Sequence, residues 1–161
     1  MDKVKLIKKE TEELLAKIID KPDVEVTEDD GIYHVTIKSE EDAPVVIGRH
    51  GETIKAIQKI LEVVLYKKVG ESVEILVNVN DYREKQKERL EELADRFAQK
   101  TQELKSASYI RGLSSYERKL VHEYVTQNYP DLASYSTGEG RDRRLVIDLK
   151  ENAPEGSSSE E

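Results

Sequence analysis

Apolar residues at Val4, Ile7, Leu14, Leu15 and Ile18 recur three or four apart, which predicts an amphipathic helix over residues 3–20. Lys21-Pro22-Asp23 ends it, and the period then changes to two. Val24 and Val26 predict a short strand. Tyr33, Val35 and Ile37, alternating with His34, Thr36 and Lys38, predict a second. Asp29-Asp30-Gly31 between them has the chemistry of a hairpin turn, because glycine takes a positive φ at little cost. Pro44 to Ile47 has the length of one helical turn, and Ile54, Ile57, Leu61, Val64 and Leu65 predict a helix over 52–67. Val73, Ile75, Val77 and Val79 alternate as a third strand. Asp81 and Glu84 resemble a capping box opening a long helix to about 103, with Leu90, Leu93, Phe97 and Leu104 on one face. Ser106 to Ile110 fits a strand. Ser114 and Glu117 form a second capping-box pattern, opening a helix to about 127 that carries Leu120, Val121, Tyr124 and Val125. Leu132 to Ser136 and Arg143 to Leu149 predict two further strands around Gly138-Glu139-Gly140.

This order predicts an α+β chain of two small units meeting near residue 105. The expected divisions are 1–80, a long connecting helix at 81–105, a second unit at 106–150 and an acidic, disordered tail at 151–161. The long helix is a spacer or part of the first core. Its seven basic and seven acidic groups to Lys105 suit a solvated face, with partner docking as the alternative. Apolar residues make up 37% of the 161, too few for one large core but enough for two small ones.

The chain lacks cysteine, so it has no disulfide and no thiolate zinc site, and its three histidines are too scattered for metal-ligand spacing. Neither a metal nor a cofactor is expected. No apolar run approaches the roughly 20 residues that span a bilayer, and the N-terminus lacks a signal-like stretch. The expectation is a cytoplasmic protein without membrane insertion. The net charge of −8 argues against a nucleic-acid binder until its distribution is considered. Acid gathers at the two ends, whereas residues 106–150 hold five of the nine arginines. A local basic patch can bind phosphate on an acidic molecule, though without strong steering.

Two constellations carry chemistry. Gly48-Arg49-His50-Gly51 lies between two helical segments, and its glycines permit a sharp turn. The helix starting at Glu52 would turn open N–H groups and partial positive charge toward the loop, which favours phosphate. Arg49 and His50 at the tip, with Lys55 close behind, add charge. Val46, Ile47, Ile54 and the edge strand at 73–79 would form an apolar groove for unstacked bases. The structural alternative is a plain helix–helix turn. The second pair, Arg118 and His122, is four residues apart on one helix face and can grip phosphate. Alternatively it fixes the packing of the final hairpin. Arg143 and Arg144 extend that surface, but strand alternation points them to opposite faces, so at most one reaches the same ligand.

Val46-Ile47-Gly48-Arg49-His50-Gly51-Glu52-Thr53-Ile54, within an α-β-β-α-α-β order, resembles the signature loop of type II KH domains. Tyr116 to His122, followed by Tyr135-Ser136-Thr137-Gly138 and Arg143 to Ile147, resembles the Arg-x-x-x-His (R-three-H) domain. In this order the two are similar to the bacterial Jag/KhpB (SpoIIIJ-associated) family over roughly residues 3–150. The resemblance implies single-stranded RNA binding through Ile47, Gly48, Arg49, His50, Gly51, Ile54, Lys55, Arg118, His122, Arg143 and Arg144. It further implies a post-transcriptional role linked to cell elongation and shape, and pairing with a small KH-only protein. Larger members carry an N-terminal domain that these residues do not include, so functions tied to it are not carried over. Single-stranded DNA and a protein-adaptor role stand as alternatives. No nucleophile motif, P-loop or dinucleotide fingerprint is present, so no catalytic residue is expected.

Overall fold

In the computed structural model, which describes residues 2–157, helix α1 (Lys3–Leu15) begins where the Asp2 side chain accepts the Lys5 N–H at 3.2 Å. It stops earlier than the apolar spacing predicts. The N–H groups of Ile18 and Ile19 both turn back to the Leu15 carbonyl, at 2.8 Å each. The tightened turn rotates Ile18 out, 40% exposed, and brings Ile19 into the core at 5%. Ile18 is therefore a misassigned core position.

The chain divides after Arg83 into two units. In the first, β1 (Asp23–Asp29) and β2 (Ile32–Lys38) pair antiparallel through a turn in which Asp30 and Gly31 both have positive φ, 48° and 83°. That geometry suits the right-handed twist of a two-residue hairpin. β3 (Ile75–Val79) lies parallel to β2 on its other side, giving the order β1-β2-β3 with β3 at an edge. The crossover is made by α2 (Ala43–Ile47) and α3 (Glu52–Val69). Val35 and Ile37 stand opposite Val77 and Val79, and these four pack with Ile54, Ile57, Leu61 and Leu65 of α3 and Ile7 and Leu15 of α1. Glu10, buried on α1, is answered by Lys68 of α3. The order α1-β1-β2-α2-α3-β3 is the αββααβ arrangement expected from the sequence.

The second unit is built on α4 (Tyr82–Leu104), all but its first two residues, with β4 (Ser108–Ile110), α5 (Ser115–Asn128), β5 (Leu132–Thr137) and β6 (Arg144–Leu149). Its antiparallel sheet has the order β4-β6-β5. From Leu90 onward α4 is a layer of this unit's core: Leu90, Ala94 and Ala98 pack with Val121, Val125, Ile110, Leu132, Leu145 and Ile147. The buried seam passes through small residues, with Leu93 and Phe97 flanking it and Leu104 62% exposed. The Ser114–Glu117 capping box forms in both directions, and Glu117 is 1% exposed.

At the start of the expected acidic tail there is one 3-10 turn at Lys150–Asn152, and residues 158–161 lie outside the described residues. Among the described residues no helix is long and apolar enough to cross a membrane.

Candidate nucleic-acid interface

Helix α2 ends at Gly48, whose φ of 71° and ψ of 178° belong to a region that side chains exclude. A Cβ there would stand 2.8 Å from the backbone nitrogen of Thr53 and 2.2 Å from its hydroxyl oxygen. Gly48 is thus required for α3 to start hard against the end of α2. Arg49–Gly51 form a 3-10 turn in which His50 and Gly51 have positive φ, 55° and 75°. A Cβ on Gly51 would lie 3.3 Å from the Tyr82 ring, so this glycine makes room for an aromatic residue.

Two features of the expected loop need correction. The Glu52 amide is not open, because it donates to the Arg49 carbonyl, and the Gly51 amide donates to Gly48 at 3.3 Å. A 3-10 turn consumes the donors that an abrupt helix start would leave. No side chain caps α3 at Gly51, however, so its positive end is not closed by an acceptor of that kind. Arg49 is exposed at the tip, and its guanidinium has no hydrogen bond or ion pair among the described residues. Lys55 is exposed on the first turn of α3.

The second correction concerns the groove. Val46 and Ile54 are core residues, 0% and 2% exposed, and Ile47 is half-buried against the same core. At the free edge of β3 the Val77 N–H donates to Gln58 Oε1 at 3.1 Å, and Arg83 Nε donates to the Val77 carbonyl at 2.7 Å. Gln58 and Arg83 therefore occupy the middle of the edge that was expected to receive bases. Sequence patterning misses this because Arg83 follows the strand and folds back on it. An open groove of about 620 Å³ lies elsewhere along α3 and β3, with Ile32, Lys59, Val63, Tyr66 and Leu76 in its walls.

In the second unit, Arg118, His122 and Arg143 line one pocket of about 540 Å³ between α5 and β5. Arg118 donates to the Leu113 carbonyl at 2.8 Å and to the Ser115 hydroxyl at 3.0 Å, which spends two of a guanidinium's five N–H groups. These partners precede α5 or open it, so Arg118 does not brace the hairpin. Arg143 donates to Gly138 at 3.0 Å. Burial first, and then the neighbouring Arg143, lower the Arg118 pKa from its usual value. Neither arginine makes an ion pair among the described residues. An anion placed between them would relieve their repulsion.

His122 Nδ1 lies 2.5 Å from Ser134 Oγ on β5, and Ser134 is 3% exposed. This bond does tie the histidine to the hairpin, and it leaves the other ring nitrogen as the atom for a ligand. Ser134 was absent from the sequence-derived set. Its signal is a serine at an inward position of an alternating strand. Pro154, Glu155, Gly156 and Ser157 form another wall, so an acidic residue lines the pocket along with the basic ones. Arg144 is not among the lining residues: its guanidinium carbon sits 4.8 Å from the centre of the Tyr109 ring, as strand alternation requires. Among the described residues no group of three or more His, Asp and Glu could hold a metal.

Comparison with known proteins agrees with this architecture. The KH domain of the KhpA/KhpB type matches residues 8–77, and the R-three-H domain matches residues 85–149. The chain is similar to the RNA-binding protein KhpB of Bacillus subtilis (strain 168), 32% identical over 120 residues, which are 73% of this chain and 56% of that protein. The KhpB protein of Clostridium symbiosum is 30% identical over 127 residues, 79% of this chain and 56% of that one. That of Streptococcus pneumoniae serotype 2 (strain D39 / NCTC 7466) is 30% identical over 136 residues, 83% of this chain and 41% of that one. The chain thus spans about half the length of the curated relatives it matches. With a KhpA/KhpB-type KH domain followed by an R-three-H domain, the chain belongs to the Jag/KhpB family.

Proposed function

We propose that this chain is a single-stranded RNA-binding protein that holds the phosphate backbone at the Gly48–Gly51 loop and in the Arg118–His122–Arg143 pocket. The observation that carries the reading is the pocket: two arginines converge there with no ion pair among the described residues, and a histidine hydrogen-bonded to Ser134 lines it with them. The uncapped start of α3 with Arg49 beside it supplies the second phosphate contact. The relatives' description as RNA-binding proteins favours RNA over DNA. Two sites on one chain raise the effective concentration of the second once the first is filled. The proposed action is binding, in the cytoplasm and in a post-transcriptional setting. A small KH-only protein is the proposed protein partner. The adaptor reading has one observation in its favour, the exposure of Ile60, Val63 and Tyr66 on α3.

Fluorescence anisotropy with a labelled single-stranded RNA, repeated over a range of salt, tests the reading. The expected result is binding that weakens steeply with salt, with a logarithmic slope of about −0.7 for each phosphate held, and weaker binding to the duplex. Binding indifferent to salt would support the adaptor instead. Arg118→Ala should weaken RNA binding about tenfold, the loss of one charge-assisted contact. Arg118→Lys should recover only part of it, because an ammonium lacks the planar fork. Unfolding of the second unit in place of this loss would make Arg118 structural. Glu155→Gln should strengthen binding about twofold at low salt, since it removes a carboxylate from an exposed and screened position. The same anisotropy assay reads the change, and weaker binding would contradict the placement of Glu155.

A further inference from the structure

We propose that the outer face of the second unit's sheet, at Tyr109, Tyr135 and Arg144, is a stacking platform for the bases of a single strand. Strand alternation separates the two faces. Ser108, Ile110, Leu132, Ser134, Leu145 and Ile147 turn toward the helices and are buried. Tyr109, Tyr135, Arg144 and Val146 therefore turn away from them. Register makes three of these a single cross-strand row, since Tyr109 and Tyr135 both stand opposite Val146. Val146, at the centre of the row, is only 2% exposed, whereas Tyr109 on the edge strand is 50% exposed. Two phenol rings thus flank a buried aliphatic centre on the face turned away from this unit's own helix-packed core.

Arg144 adds to the platform. Its guanidinium carbon lies 4.8 Å from the Tyr109 ring centre, a cation–π contact that holds one planar group over another. A base has the same planar form and stacks on tyrosine or on a guanidinium plane. The charge beside it suits a strand that carries a phosphate for every base. Tyrosine is also a good strand former, so one exposed ring would mean little. Here two rings and an arginine share a row and its immediate neighbour, and Tyr135 also lines the Arg118–His122 pocket. The two surfaces lie on opposite faces of the sheet and meet only at its edge strand β5, whose Ser134 and Ser136 line the phosphate site. The occupant that serves both is planar and anionic, and a strand whose backbone lies in the pocket would pass round the β5 edge to lay its bases across the row.

This inference rests on the phosphate-binding reading of that pocket, and the test separates the two. The full chain and its Tyr109→Ala, Tyr109→Phe and Arg118→Ala variants are titrated by anisotropy. The probes are a labelled single-stranded RNA dodecamer and a dodecamer of the same backbone with abasic residues. Tyr109→Ala should weaken RNA binding about tenfold, the loss of one stacked base, while Tyr109→Phe stays within about twofold of the parent chain. Binding of the abasic strand should be the same for the parent and both Tyr109 variants, and the salt slope should not change. If Tyr109→Ala binds RNA like the parent while Arg118→Ala is weakened, the platform is overturned and the phosphate site stands. Equal losses with alanine and phenylalanine, or an equal loss toward the abasic strand, overturn it as well. A parent chain that binds neither probe overturns both readings.

Discussion

Arg49→Asp combined with His50→Asp should weaken single-stranded RNA binding about 100-fold and leave thermal unfolding nearly unchanged. Arg49 is exposed, so replacing it disturbs no core packing. His50 adopts a φ of 55°, a conformation that aspartate enters more readily than most residues, so the 3-10 turn can persist. The loss of a charge-assisted contact costs about 2 kcal/mol. A new carboxylate about 5 Å from a phosphate adds about 1 kcal/mol of repulsion in a well-solvated setting. Anisotropy reads the affinity, and a circular dichroism melt verifies the fold. A folded double variant that binds like the parent would remove the loop from the interface.

Gly48→Ala should instead act on the fold. The backbone region it occupies costs a side-chain-bearing residue about 1–3 kcal/mol, and the Cβ would press on the Thr53 backbone nitrogen at 2.8 Å. The hydroxyl of Thr53 can rotate away, but its backbone cannot move without displacing the start of α3. Together these should cost the first unit about 3 kcal/mol. A chain of two units need not unfold in one step, so the readout has to be local. Amide hydrogen exchange of β2 and β3 should accelerate about 100-fold, while that of β6 stays as it was. Unchanged protection in β2 and β3 would mean that the loop relaxes at no cost. Gly51→Ala should be milder, because only side-chain atoms of Tyr82 stand in its way, at 3.3 Å.

The contrast between the two glycines shows what a sequence displays and what it withholds. A glycine-bracketed loop between two apolar helical segments is visible in the order of residues. That Gly48 is needed by Thr53 and Gly51 by Tyr82 is not, because Tyr82 lies 31 positions further along the chain. The αββααβ order was legible because strands and helices carry different periods, and Asp29-Asp30-Gly31 and Ser114–Glu117 marked boundaries by local chemistry alone. The end of α1 was not legible. Ile18 continues the helical spacing, and only the turn at Leu15 reveals that Ile19 is the buried residue.

Helix α4 was mispatterned for a different reason. Ala94 and Ala98 are fully buried in the second core, but alanine carries little hydrophobic signal, and the larger Leu93, Phe97 and Leu104 draw attention to a flank. In the candidate site, Arg118 and His122 were legible as an i,i+4 pair and do line one pocket. Alternation alone separated Arg143 from Arg144, and they go to different surroundings. The bonds of Gln58 and Arg83 at Val77 were out of reach, since nothing local to a long polar side chain says which strand edge it will meet.

Titration of an isotopically labelled chain with single-stranded RNA, followed by amide and side-chain NMR shifts, tests most directly whether a strand's phosphates are held at the loop tip and in the arginine pocket. The largest shifts are expected at residues 49–54 and at the Arg118, His122 and Arg143 side chains, and added salt should reverse them. Shifts confined instead to Ile32, Val63 and Tyr66 and insensitive to salt, with the loop and the arginines unmoved, would contradict that placement of the strand.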